Sequence, residues 1–287
     1  MLLRSTVQLL RFHFSLFLLP VFLFAISQIP ILNWRITIFV FLILHLLVYP
    51  SSNGYNSYMD RDETPIGGLK NPMQPTRQLF RISLIMDLFA VVFSLIISKV
   101  LALGILFYIM ASRAYSYRRI RLKQYPVIGF LTVFIFQGAV IFFIVYYACS
   151  INTPAVAPII PCLVSSLLIG ALYPLTQIYQ HEADKKDGVI TISFLLGKRG
   201  SFVLSGVLFF SATALLYYYF VAINQQINFF FFLIFTAPVV LFFCYWMFHV
   251  WSNAASANFK NSLIMNIVAM LCTSGYFAFL ILQKHFE

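Results

Sequence analysis

Charge is what this 287-residue chain has least of. Asp, Glu, Lys and Arg together make up 9% of it, against roughly 25% in soluble domains. A surface so poor in charge does not keep a chain of this size in water. Carboxylates are the scarcest charges: eight, against nineteen Lys and Arg, for a net charge of +11. Cysteine is limited to Cys149, Cys162, Cys244 and Cys272. They form no Cys-x-x-Cys pair and have no His at ligand spacing, which argues against a zinc or dithiol centre. No low-complexity tail or long linker divides the sequence, so a single transmembrane domain is expected over 1–287.

Apolar residues fill the space that charge leaves. They make up 61% of the chain, with 33 Phe. Roughly 20 such residues cross a bilayer as a helix. Candidate runs fall at 12–29, 36–49, 82–97, 100–115, 127–147, 155–179, 202–223, 229–251 and 263–282. The second is short, but it can continue helically through the polar stretch after it. Only Ser98 and Lys99 separate the third from the fourth, which reads as a tight hairpin. Irregular backbone is not viable in lipid, so each run is assigned as a helix. The N-terminal run resembles a signal peptide in its two leading Arg. It is too long for one and lacks a small-x-small cleavage site, so it reads as the first span. The expected fold is an all-α integral membrane protein with nine transmembrane helices.

The basic residues supply an orientation. With the N-terminus inside, sixteen of the nineteen face the cytoplasm, and Arg35, Lys99 and Lys284 face out. Cytoplasmic connections collect Lys and Arg. The positive charge therefore reports topology rather than nucleic-acid binding. The expected location is a cell inner membrane, with a cytoplasmic N-terminus.

Six of the eight carboxylates sit in two stretches that orientation places on one side. Asp60, Asp62 and Glu63 follow the second span; Glu182, Asp184 and Asp187 follow the sixth. Asn53, Asn56, Asp60 and Glu63 are spaced 3-4-3, as are Gln177, Gln180, Asp184 and Asp187. At about 100° per residue each set occupies one face of a helix, and Asp62 points away. Amides and carboxylates suit a hard cation such as magnesium, which is commonly held by one or two carboxylates together with substrate phosphates. Lys70, Arg118, Arg119 and Lys185 stand close by in sequence, as a diphosphate site needs. Turn residues in solvated loops are the plain alternative for "ETPIGG" and "KNP". Asp87 lies apart, early in the third span, as either a functional acid or a partner for Arg81 or Arg113. His181, inside the second stretch, stands out from the isolated His13, His45 and His249.

These stretches resemble the UbiA superfamily of intramembrane prenyltransferases. Asn56-Ser57-Tyr58-Met59-Asp60 is similar to its N-x-x-x-D motif after the second helix. "QHEADKKDGVITISFLLG" is similar to its second acidic motif, with Glu182, Asp184, Gly188 and Thr191 in place. "YSYRRIRLK", 115–123, looks like the family's tyrosine and basic run after the fourth helix. The chain departs at Thr64 and Gln180, where the family carries Asp, and at Ala183, where it carries Gly.

The resemblance implies nine helices around a cavity open to the cytoplasmic side. It implies transfer of a prenyl group from an isoprenyl diphosphate to an aromatic or other lipophilic acceptor with magnesium, in contact with membrane lipid. On that basis Asn56, Asp60 and Glu63 are assigned to one metal, and Asp184 with Gln180 to the other. Asp60, Asp184, Lys70, Arg118 and Arg119 are the expected catalytic residues. Asn53, Lys70, Arg118, Arg119, Lys185, Tyr115 and Tyr179 are the expected contacts to diphosphate and prenyl chain. Two competing readings remain: a secondary transporter and a non-catalytic isoprenoid-binding relative. Transporters carry coupling acids near the bilayer midplane, in inverted repeats. Here the acids cluster at helix ends on one side, which weakens the transporter reading. Thr64 and Gln180 are the features that suggest the non-catalytic relative.

Overall fold

The computed structural model describes residues 2–152 and 158–286, with side chains through 284. Nine described helices are long and apolar enough to cross a membrane. They are α1 (Arg4–Ser27), α2 (Trp34–Asp60), α3 (Arg77–Ile97), α4 (Lys99–Ser116), α5 (Pro126–Cys149), α6 (Ile159–Gln177), α7 (Ile192–Ala222), α8 (Gln226–Ser252) and α9 (Phe259–Lys284). No β-strand occurs among the described residues. The chain is an integral, multi-pass membrane protein.

The boundaries follow local chemistry. Asn33 caps α2 by accepting from the Ile36 amide. Ser98 is the whole connection between α3 and α4: its backbone is extended, and its side chain accepts from the Leu101 amide. The second helix does run on past 49, as far as Asp60. The seventh starts ten residues before the apolar run at 202. Thr191 caps its first turn, and Gly197, at φ +69°, breaks the helical path before Lys198 and Arg199. Only glycine takes that backbone conformation readily. Expected span residues 155–157 lie outside the described residues.

Neighbours in sequence are mostly neighbours in space, and α9 packs against α1 to close a ring. Its largest core joins α1, α2, α4, α5 and α9 through side chains such as Phe24, Val48, Ile105, Phe142 and Phe277. A second core joins α6 to α7, α8 and α9 around Trp246. Two helices carry π-helical segments, Ile43–Val48 in α2 and Phe134–Val140 in α5. Such segments interrupt the regular ladder of backbone bonds. In α5 the Ser166 hydroxyl of α6 takes up the Ala139 amide at 3.0 Å, while Gly138 lets the two backbones close.

Candidate active site

The ring encloses a cavity of about 270 Å³ that reaches the face carrying the α2–α3 and α6–α7 connections. Asp60 is the last helical residue of α2, because Arg61 turns left-handed at φ +55° and stops the helix. Its side chain is 5% exposed, with Lys123 Nζ at 2.5 Å and Arg121 at 3.7 Å. Asn56, one turn earlier, donates to Asp60 Oδ2 at 2.9 Å and lies 3.0 Å from the Ser116 hydroxyl. The helix ending at Asp60 reverses an expectation drawn from spacing. Asp62 turns in to line the cavity, whereas Glu63 is exposed outside it.

The second stretch is also interrupted. α6 ends at Gln177, and a short helix, His181–Lys186, follows. Gln177, Gln180 and Asp184 still line the cavity. Gln180 donates to the Pro65 carbonyl at 3.1 Å, tying the two connections together. Asp187 points instead to Arg121, which bonds its carboxylate and its carbonyl.

Three carboxylates thus share the upper cavity, and their electrostatics are tense. Burial, with Asp60 adding repulsion, pushes the Asp62 carboxyl up to about 6. Burial pushes Asp184 up to about 7, against the opposing pull of Lys123. Asp60 Oδ1 and Asp184 Oδ2 are buried with no hydrogen-bond donor from the protein. Three carboxylates this close favour further positive charge beside them, beyond what Lys123 and Arg121 supply to Asp60. Among the described residues, no group of three or more His, Cys, Asp or Glu is drawn together tightly enough to hold a metal by itself.

The cations sort differently from their order in sequence. Arg121, left-handed at φ +48°, begins a 3₁₀ turn over Leu122–Gln124. That turn sends Arg121 and Lys123 inward. Arg119 stays exposed outside the cavity, as do Lys70 and Lys185. Arg118 is half-exposed and donates to the Met59 carbonyl at 2.7 Å, so it caps the end of α2. Arg11 of α1 also lines the cavity, donating to the carbonyls of Gly67 and Asn53. Asn53 and Tyr115 line it too, and the Tyr115 hydroxyl meets that of Tyr173 at 2.5 Å. Tyr179 packs edge-on against Phe259, beside the lining rather than in it.

Arg11, Lys123, Arg121 and Asp62 are the residues that spacing missed. Arg121 and Lys123 alternate with apolar neighbours in "RRIRLK", the one signal that sets them apart from Arg118 and Arg119. Arg11 gives none, being paired to the site only through the fold. Asp87 resolves as a structural partner. It bonds Arg113 of α4 and lies 2.5 Å from the Ser51 hydroxyl of α2, knitting three helices below the site. The Arg113 guanidinium also lies over the Tyr55 ring at 4.1 Å.

A second, apolar cavity of about 250 Å³ adjoins the first; Phe17, Ile169 and Leu172 line both. Its remaining wall comes from α1, α6, α7, α8 and α9.

Comparison with known proteins finds that the pattern of the UbiA prenyltransferase family matches residues 15–269. No curated protein matches the chain. Among solved structures, a UbiA homolog from Archaeoglobus fulgidus bound to DMAPP and Mg2+ is similar in fold, with a TM-score of 0.70 at 18% identity. The match covers 96% of this chain and 99% of that one. The apo UbiA homolog from Aeropyrum pernix K1 gives 0.68 at 17% identity, over 94% and 98%. A digeranylgeranylglyceryl phosphate synthase gives 0.62 at 20% identity, over 97% and 98%.

Proposed function

The chain belongs to the UbiA prenyltransferase family, and from that premise we propose that it moves an isoprenyl group from a prenyl diphosphate to a lipophilic acceptor. The observation that carries this reading is the meeting of Asp60, Asp62 and Asp184 with Lys123 and Arg11 at the mouth of a cavity that adjoins an apolar one. Diphosphate belongs at the charged mouth and hydrocarbon in the apolar chamber.

Magnesium fits the donor set. It is ordinarily bound by one or two carboxylates together with substrate phosphates, so no closed protein cage is required. The buried Asp60 Oδ1 and Asp184 Oδ2, neither of which accepts a hydrogen bond from the protein, would be its ligands, with Asp62, Asn56 and Gln180 beside them. Bound there, the ion neutralises charge on the leaving diphosphate. Similar solved structures from Archaeoglobus fulgidus hold DMAPP or GPP with Mg2+.

The protein's own groups account for the rest. Breaking the carbon–oxygen bond builds negative charge on the diphosphate and positive charge on the allylic carbon. Lys123 and Arg11 are fixed cations facing the first, which stabilises it without reorganisation at the moment of reaction. Tyr115 and Tyr173, which line the cavity, are aromatic groups of the kind that stabilise the second. The ring of helices keeps water from competing with the acceptor. We place the mouth in the cytoplasm, because the connections around it carry most of the Lys and Arg.

Reconstituted protein, geranyl and geranylgeranyl diphosphate, and a panel of lipophilic acceptors test the reading. Diphosphate release is expected with magnesium and lost with a chelator. Asp60→Ala and Asp184→Ala should each lower turnover at least about 100-fold. Turnover surviving both substitutions would refute the assignment.

A further inference from the structure

Below the charged mouth the same cavity changes character. Tyr49 lies eleven residues before Asp60 on α2, about 16 Å deeper along the axis. Tyr108 lies eight residues before the end of α4, about 12 Å in, and Gln137 eleven residues into α5, about 16 Å in. All three line the cavity, with Ser52 between them. The Tyr49 and Tyr108 rings meet edge-on at 6.0 Å, and the Ser52 hydroxyl beside them is buried with no hydrogen-bond partner from the protein. Tyr49 is 2% exposed, and its hydroxyl has no protein hydrogen-bond partner. Buried hydroxyls are nearly always bonded, and one left alone is unfavourable.

A hydrocarbon tail does not answer this floor. It would cover the Tyr49 hydroxyl and offer it nothing, and the adjoining apolar cavity suits the tail better. An anion does not answer it either. The only Lys or Arg among the lining residues are Lys123, held by Asp60, and Arg11, held at the level of Gly67 and Asn53. Arg113 lies outside the lining and is neutralised by Asp87. His45 stands behind Ser15, its ring packed against Phe41 and Tyr49. A carboxylate or phosphate at this depth would be buried without a counter-charge.

We propose that the floor built by Tyr49, Ser52, Tyr108 and Gln137 binds the acceptor through an uncharged hydroxyl, of a phenol, hydroquinone or alcohol, and discriminates against acceptors that present a carboxylate or phosphate there. The inference rests on the prenyl-transfer reading and names the acceptor class for it. Phenolic or alcoholic oxygen bonds both ways, so it satisfies the Tyr49 hydroxyl and the Gln137 amide at once. The donor's diphosphate stays at the mouth, and specificity between acceptors is set at the other end of the cavity.

Binding separates this proposal from catalysis. Wild-type protein in nanodiscs is titrated with 2-naphthol, naphthalene and 2-naphthoate, each corrected for uptake by empty discs. Naphthol should bind at least about tenfold more tightly than naphthoate. Tyr49→Phe should weaken naphthol on the order of fivefold and leave naphthalene unchanged. Gln137→Leu, at an independent position, should do the same. Naphthoate binding as tightly as naphthol overturns the proposal, as does unchanged naphthol affinity in both variants. Geranyl thiolodiphosphate, which resists turnover, is titrated in parallel. Its failure to bind, with the naphthol pattern intact, would count against the prenyl-transfer reading rather than the floor.

Discussion

At the scale of the residue, direction decides function more than identity. Arg118, Arg119, Arg121 and Lys123 share one short connection, but only the last two turn inward. Lys123→Ala should therefore lower turnover by about 100-fold or more. Arg119→Ala, exposed outside the cavity, should stay within about twofold of wild type. Steady-state rates on the two variants check this. The acidic cluster predicts a second effect. Asp184 titrates near 7 in the folded protein, against about 3.9 in an unfolded chain. A raised folded value means a stability contribution present at low pH and lost as pH rises through 7. In chelator, Asp184→Asn should therefore melt higher than wild type at pH 8. The difference should vanish toward pH 4, as thermal unfolding across that range will show. A neutral variant no more stable at pH 8 would mean that the site does not strain its carboxylates.

At the scale of the element, the helices meet where side chains are missing. A Cβ added at Gly138 would come 2.4 Å from the Ser166 Cα. Neither backbone can give way without separating α5 from α6. Gly138→Ala should destabilise by about 1–3 kcal/mol, whereas Gly206→Ala meets only Phe243 at 3.8 Å and should be far milder. Melting temperatures of the two variants in one detergent compare them directly. Helix ends matter as much as helix faces. Both polar stripes assume continuous helices, but α2 stops at Asp60 and α6 at Gln177. The first stop exchanges Asp62 for Glu63. The second leaves Gln180 and Asp184 in the cavity because the short helix folds back over it.

At the scale of the whole molecule, charge and lipid fix the frame. Lys198 bonds the Ala254 carbonyl of the α8–α9 connection and Arg199 the Trp251 carbonyl in the last turn of α8, so the basic start of α7 lies on the same face as that connection. In a variant without its four cysteines, a single Cys at Arg119 should react with an impermeant maleimide only after inside-out inversion of the membrane. One at Lys99 should react from the outside. The reverse pattern would invert the orientation proposed here.

The nine spans, the two acidic stretches and the likeness to a family were legible in the chain itself, because lipid enforces helix length and excludes charge wherever nothing uses it. Asn56, Asp60, Gln180 and Asp184 could be picked out by spacing for the same reason. What spacing does not carry is where a helix stops and which way a loop turns. Left-handed backbone at Arg61 and Arg121 decided that Asp62, Arg121 and Lys123 face inward. Arg11, Tyr49, Tyr108 and Gln137 sit on separate helices and become one cavity only when the ring closes. A local pattern records the face a residue occupies. The packing of distant helices alone determines what that face meets.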